Sequence, residues 1–218
     1  MRDDSPGRGP EVLADELDVP GGAVLHGLRI KGWIVDEGQD GQYTPPAHAL
    51  ADGIRQAASC MSQLVHFELL YPDSFRSWDD ESGRDRVMDC RLSPDDLGEV
   101  ARALPPGLRS LCLSNGLSAK TLVMLNEGPC FSDLHSLSLW GNALRSNVAT
   151  LFKVPMQLRQ LDVSANPIGD RGVAGLLRSR HLAQLEVLCA RRCGTTPAGV
   201  EAAQRASTLP RLRHLVVS

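Results

Sequence analysis

No stretch of this chain approaches the roughly 20 consecutive apolar residues that a membrane-spanning helix requires, which argues against a membrane partner. The opening residues, MRDDSPGRGPEVLADELDVP, lack the apolar core of a secretory signal, so a cytoplasmic protein is expected. Neither charge sign is in large excess: 23 Lys and Arg stand against 26 Asp and Glu, a net charge of −3. Nucleic acid recognition normally rests on a basic excess, so a nucleic acid partner is not expected. Catalytic signatures are missing as well: there is no Walker-type glycine loop, no G-x-S-x-G turn, no H-E-x-x-H pair and no EF-hand loop. The chain is expected not to be an enzyme, with no catalytic residue and no cofactor. At 218 residues it is long enough to bury a sizeable core without disulfide support.

Six cysteines, at positions 60, 90, 112, 130, 189 and 193, leave room for bridges by number alone. Their placement argues for reduced structural thiols. Cys112 and Cys189 fall inside strand-like runs, and Cys193 occupies a turn position described below. Cys189 and Cys193 form a Cys-x-x-x-Cys pair, but a structural zinc site needs four ligands and no second pair of suitable spacing lies nearby. No metal is expected.

What the sequence does have is a period. LHSLSLWGNAL, from Leu134 to Leu144, fits L-x-x-L-x-L-x-x-N-x-L throughout, and LRQLDVSANPI, from Leu158, fits it with Val163 and Ile168. LEVLCARRCGT from Leu185 keeps the frame with Ala190 and Cys193, LRHLVVS from Leu212 begins it again, and LRSLCLSNGL from Leu108 keeps three leucines with Asn115 one residue early. These starts are 26, 24, 27 and 27 residues apart, inside the roughly 20 to 29 of a leucine-rich repeat. LHGLRI from Leu25 and LVHFEL from Leu64 repeat the frame more loosely, with gaps of 39 and 44 residues that require insertions.

The pattern has a direct physical reading. Leu137 and Leu139 are two apart, so in a strand both face one side and meet their equivalents in neighbouring turns. One turn cannot bury that face alone. Asn142 and Asn166 stand where the chain leaves the strand, placed to satisfy backbone groups that would otherwise be buried unpaired. Between strands, PDDLGEVARAL from Pro94 predicts a helix capped by Ser93, IGDRGVAGLL from Ile168 another, and TPAGVEAAQRA from Thr196 a third with Pro197 at its first position. HALADGIRQAASCM from His48 predicts one more.

NPIGDRGVAGLL, from Asn166, and CGTTPAGVEAA, from Cys193, resemble the ribonuclease-inhibitor-like subtype of leucine-rich-repeat proteins. The resemblance implies a full helix in each repeat. Its members include enzyme inhibitors, GTPase-activating proteins, actin-filament caps, immune receptors and ubiquitin-ligase substrate receptors. The expected fold is an α/β leucine-rich-repeat solenoid, a curved parallel sheet on the concave side with helices on the convex side. The expected organisation is a flexible segment at 1–22, divergent repeats at 23–107 with insertions at about 32–46 and 71–91, and regular repeats at 108–218.

Function in such an array should lie on exposed strand positions and loops. The third, fifth and seventh positions of each turn face outward, giving His66, Glu68 and Leu70, then Ser110, Cys112 and Ser114, then Ser136, Ser138 and Trp140. Gln160, Asp162 and Ser164 follow, then Val187, Cys189 and Arg191, and finally His214 and Val216. Trp140 and Arg191 belong to the residue types that dominate binding hot spots. His66 and His214 lie five repeats apart and cannot act on one bond. The insertion YPDSFRSWDDESGRDRVMDCR, from Tyr71 to Arg91, reads as a long loop with aromatic anchors and acids able to steer a basic partner. The partner-binding candidates are Phe75, Trp78, Asp79, Asp80, Trp140, Asp162, Arg191 and His214.

The expectation is a scaffold that binds another protein through its concave face and inserted loops. A GTPase regulator or other catalytic accessory presenting Arg145, Arg191 or Arg192, and a structural subunit of a large assembly, are the alternatives. At the C-terminal end Leu212, Leu215 and Val217 complete a strand pattern with no helix after it, so self-association or coverage by a partner is expected at that edge.

Overall fold

The computed structural model describes residues 26–31, 51, 54–55, 62–70, 74–79, 84–89, 92–114 and 117–217. The N-terminal segment, the 32–46 run and most of the helix predicted from His48 lie outside the described residues. Ala51, Ile54 and Arg55 of that helix are helical.

The chain builds one open α/β layer. Among the described residues seven parallel strands form the sheet: β1 (Gly27–Lys31), β2 (His66–Leu70), β5 (Ser110–Ser114), β6 (Ser136–Ser138), β7 (Gln160–Asp162), β8 (Val187–Ala190) and β9 (His214–Val217). They lie side by side in chain order. Two further strands, β3 (Ser74–Asp79) and β4 (Arg84–Asp89), pair antiparallel in a separate hairpin between β2 and β5. The insertion read as a long irregular loop therefore contains a β-hairpin, with Phe75 opposite Met88, Trp78 opposite Asp85 and Asp79 opposite Arg84.

Register follows the leucine frame. Leu28, Phe67, Leu111, Leu137, Leu161, Leu188 and Leu215 form one row across all seven strands. Phe67, Leu111, Leu137, Leu161 and Leu188 are buried, as are Leu69, Leu113, Leu139, Val163 and Ala190 two residues further along. Each such leucine, valine or phenylalanine contributes on the order of 2 kcal/mol by leaving water. On β9, Leu215 and Val217 pack against the core but are half-buried.

The turn after each strand closes by one device. Asn142 donates to the carbonyls of Leu113 and Leu139, both at 2.9 Å, and accepts from the N–H of Leu117 at 2.9 Å. Asn166, fully buried, donates to Leu139, Val163 and Ser164 at 2.8, 2.9 and 3.1 Å and accepts from the N–H of Leu144 at 3.1 Å. Cys193 takes the same place in the following turn, its thiol donating to the carbonyls of Val163 and Arg191 at 3.3 and 3.4 Å. Gly141, Ala165 and Arg192, each one residue before, have φ of 68°, 56° and 52°. The left-handed backbone aims the next side chain back under the strand.

The helices cover the other side of this core. Helix α1 (Pro94–Ala103) starts at a capping box in which Ser93 and Asp96 exchange hydrogen bonds with each other's backbone, and it buries Leu97, Val100 and Ala101. Helix α2 (Ala119–Leu122) is one turn long and runs into a 3-10 segment at Val123–Glu127. Helices α3 (Gly169–Leu177) and α4 (Pro197–Arg205) bury Val173, Leu176 and Leu177, and Val200 and Ala203. Thr196 caps α4, accepting from the N–H of Gly199 at 3.0 Å.

A full helix in every turn, which the family resemblance implied, is not what forms. Between β6 and β7 the connection holds a four-residue 3-10 turn, Val148–Leu151. That turn belongs to the shortest interval, 24 residues, whereas the two 27-residue intervals hold the nine-residue helices α3 and α4. Pro155, with β-branched Val148, Thr150 and Val154 before it, also opposes helical extension. Among the described residues no helix is long and apolar enough to cross a membrane.

Candidate functional site

With one face of the sheet consumed by the core, the opposite face carries three rows of side chains. One runs His66, Ser110, Ser136, Gln160, Val187 and His214; the next runs Arg29, Glu68, Cys112, Ser138, Asp162, Cys189 and Val216. Beyond them, past the ends of the short strands, lie Trp140 and Arg191.

At the β6–β8 end this face opens into a recess of about 400 Å³ lined by Trp140, Asp162, Ser164, Cys189, Arg191 and Arg192. Three of the eight sequence candidates, Trp140, Asp162 and Arg191, therefore share one site. Trp140 is 50% exposed, a large apolar side chain left in water. Asp162 is fixed by accepting from the N–H of Ser164 at 2.8 Å, and the Ser164 hydroxyl accepts from the N–H of Arg191 at 3.0 Å. One strand end is thereby tied to the next, and the recess is built on hydrogen-bonded backbone. Arg29, Arg55, Arg102, Arg109 and Arg205 are each held in an ion pair. Among the described residues neither Arg191 nor Arg192 is.

The other candidates lie elsewhere. His214 sits on β9 beside Val187 and does not line the recess. Phe75, Trp78 and Asp79 belong to β3, and Asp80 lies outside the described residues. Arg192 was not among the partner-binding candidates, and was named only as one of three arginines open to a catalytic accessory. Strand alternation does not point to it, since it follows the end of β8, and the signal available was its place one residue before Cys193, equivalent to Gly141 and Ala165.

A second polar cluster occupies the β1–β5 end. His66 Nδ1 lies 2.8 Å from the hydroxyl of Ser110, and His66 Nε2 lies 4.0 Å from Glu68, which is ion-paired with Arg29. Hydroxyl, imidazole and carboxylate in that order are the parts of an acyl-transfer relay. The Ser110 N–H donates to the carbonyl of Val65 at 2.9 Å and so is not free as an oxyanion donor. The arrangement works as a clasp across three strands. Ser110 was legible from the sequence as the residue stacked on His66 in the same row.

The face offers poor nucleophiles. Cys112, Cys130, Cys189 and Cys193 are free thiols. Burial pushes the Cys112 thiol up, the Ser138 hydroxyl opposes the rise, and the Glu68 and Asp162 carboxylates add to it. Burial also raises Cys189, with Asp162 adding and Arg191 opposing. Thiols held protonated in this way are weak nucleophiles at neutral pH. Among the described residues no group of three or more His, Cys, Asp or Glu is placed to hold a metal ion. No protein-family model matches the chain, and no curated protein matches it.

Proposed function

We propose that the chain is a leucine-rich-repeat solenoid that binds another protein on the exposed face of its sheet, and that it is not an enzyme. The supporting observation is the recess: a half-exposed indole and two guanidinium groups that are in no ion pair among the described residues stand together on the exposed face of the sheet. Trp and Arg are the side chains that most often carry interface energy. The in-register rows and the repeated Asn142, Asn166 and Cys193 turns support the solenoid reading.

A photocrosslinking amino acid placed at Trp140 in cells producing the protein tests the reading, with the same residue at exposed Arg178, the C-cap of α3, as the control. One dominant crosslinked protein from position 140 that is missing from position 178 is expected. Identical patterns from both positions, or none from 140, would overturn it.

A further inference from the structure

We propose that the Trp140–Arg192 recess takes an acidic peptide segment, with a carboxylate between Arg191 and Arg192 and an apolar side chain on Trp140. This rests on the protein-binding reading and names the chemistry of its partner.

Charge sets the sign. Two guanidinium groups face one carboxylate in the lining, and that carboxylate, Asp162, already accepts from Ser164. The recess therefore carries a net positive local charge on a chain whose overall charge is −3. On the same face Arg29 is ion-paired with Glu68, whereas among the described residues neither of these two is in an ion pair. Asp162 also limits how much negative charge can enter. A monoanionic carboxylate gains the planar, bidentate geometry that guanidinium favours, whereas a dianionic phosphate meets stronger repulsion from Asp162 and from the acidic protein as a whole.

Shape argues for a peptide. Trp140 follows β6 and Arg191 follows β8, two strand steps apart, or roughly 10 Å. An extended segment of about three residues covers that distance. Beside the recess, on the β5 and β6 side, Ser110, Ser136 and Ser138 are small, so a partner backbone can approach there.

Arg192 offers a direct test. It holds φ of 52°, a conformation L-residues with a side chain rarely adopt, where the equivalent turn after β6 has Gly141. Ala165 at the equivalent place holds φ of 56°, so the left-handed backbone belongs to the turn, and what is particular to Arg192 is its guanidinium on the recess lining. Arg192→Gly should then raise the melting temperature and weaken binding together, a pair of effects that misfolding cannot produce.

The probe is the blocked peptide acetyl-Ser-Phe-Ser-Gly-Glu-Glu-Ser-amide, with versions carrying Gln or Lys in place of both Glu. Each is titrated into the full chain while the Trp140 indole N–H, assigned by its loss in Trp140→Phe, is followed by NMR. The acidic peptide should shift that signal saturably, at least ten-fold more tightly than the Gln and Lys versions, and Arg191→Gln or Arg192→Gly should weaken it by about ten-fold. No indole shift, equal binding of the Lys peptide, or arginine variants that bind normally would overturn the proposal. So would tighter binding of single-stranded oligothymidylate, which would make the recess a phosphate site. If position 140 crosslinks one protein while the acidic peptide fails, the scaffold reading survives and this assignment falls.

Discussion

The side-chain amide of Asn166 donates to the carbonyl of Leu139, one turn earlier in the chain, at 2.8 Å. Through that bond, and its bonds to Val163, Ser164 and Leu144, a single buried side chain serves four backbone groups on two turns. Asn166→Ala should lower the free energy of unfolding by roughly 3 kcal/mol, because buried carbonyls and an N–H lose their partner without gaining water. Asn166→Asp should cost at least as much, since its carboxylate would face three carbonyls. Urea unfolding midpoints decide it, and an unshifted midpoint for the alanine variant would contradict the accounting.

Adjacent residues at the end of β6 should behave oppositely. Leu139 is fully buried and Trp140 is half exposed. Leu139→Ala should cost about 3 kcal/mol through lost burial and the cavity left behind, while Trp140→Ala should stay within about 0.5 kcal/mol. Thermal denaturation of the two variants side by side checks the facing of the sheet.

The leucine period was enough to place all seven strands, because parallel neighbours sharing one frame fall into register and the frame could be counted. Ser93 and Thr196 marked helix starts for a local reason, a side-chain oxygen that reaches the next turn's N–H groups. The hairpin at Ser74–Asp79 and Arg84–Asp89 leaves no mark in that period, because its two strands pair with each other and carry no leucine frame. Trp140, Asp162 and Arg191 could be found by counting. Their union in one recess could not, because it depends on short strands that end early and on backbone at Arg192 that leaves the strand alternation.

Backbone strain gives a test in both directions. Replacing Arg192 by Gly, or Ala165 by Gly, should stabilise the fold by about 0.5 to 1 kcal/mol, the relief of a left-handed residue less the added freedom of glycine in the unfolded chain. Gly141→Ala, at φ of 68°, should lose about 1 kcal/mol. Melting temperatures should rise for the first two and fall for the third; the reverse order would show that these turns are not strained.

Cys130 gives a pH test. Burial pushes its thiol up from 9.0 to about 11, with Asp133 adding to the rise and Arg109 opposing it. Between those values the unfolded chain releases the proton and the native chain keeps it, so raising the pH favours unfolding. Stability should fall by an amount on the order of 2 kcal/mol as the pH climbs through that window, with no contribution from this group below it. Cys130→Ala should start from a lower stability and show a shallower decline. Urea titrations at pH values spanning the window measure the difference, and parallel curves would remove Cys130 as its source.

Gly199 sits against the Asp170 carboxylate so closely that a Cβ would collide with it. Asp170 accepts from the N–H and the hydroxyl of Thr196, at 2.7 and 2.8 Å, and so joins the start of α3 to the cap of α4. In an open helix Gly→Ala gains about 1 kcal/mol. Here Gly199→Ala should instead lose about 1 to 2 kcal/mol, since the collision displaces Asp170 from both bonds. A variant as stable as the parent or more so would show that Asp170 relocates without loss.

Strands β2 and β5 align over five residue pairs, from His66 with Ser110 to Leu70 with Ser114, although the hairpin and helix α1 both lie between them in the chain. Strands β6 and β7 align the same way across a far shorter connection. The sheet is thus a chassis whose spacing does not depend on the length of chain looped out between rungs, and lengthening such a loop costs only about 0.6 kcal/mol per doubling. New sequence can accumulate on the connections as payload while the rungs that carry Trp140, Asp162 and Arg191 keep their separation, so the two parts of the molecule are free to change at different rates.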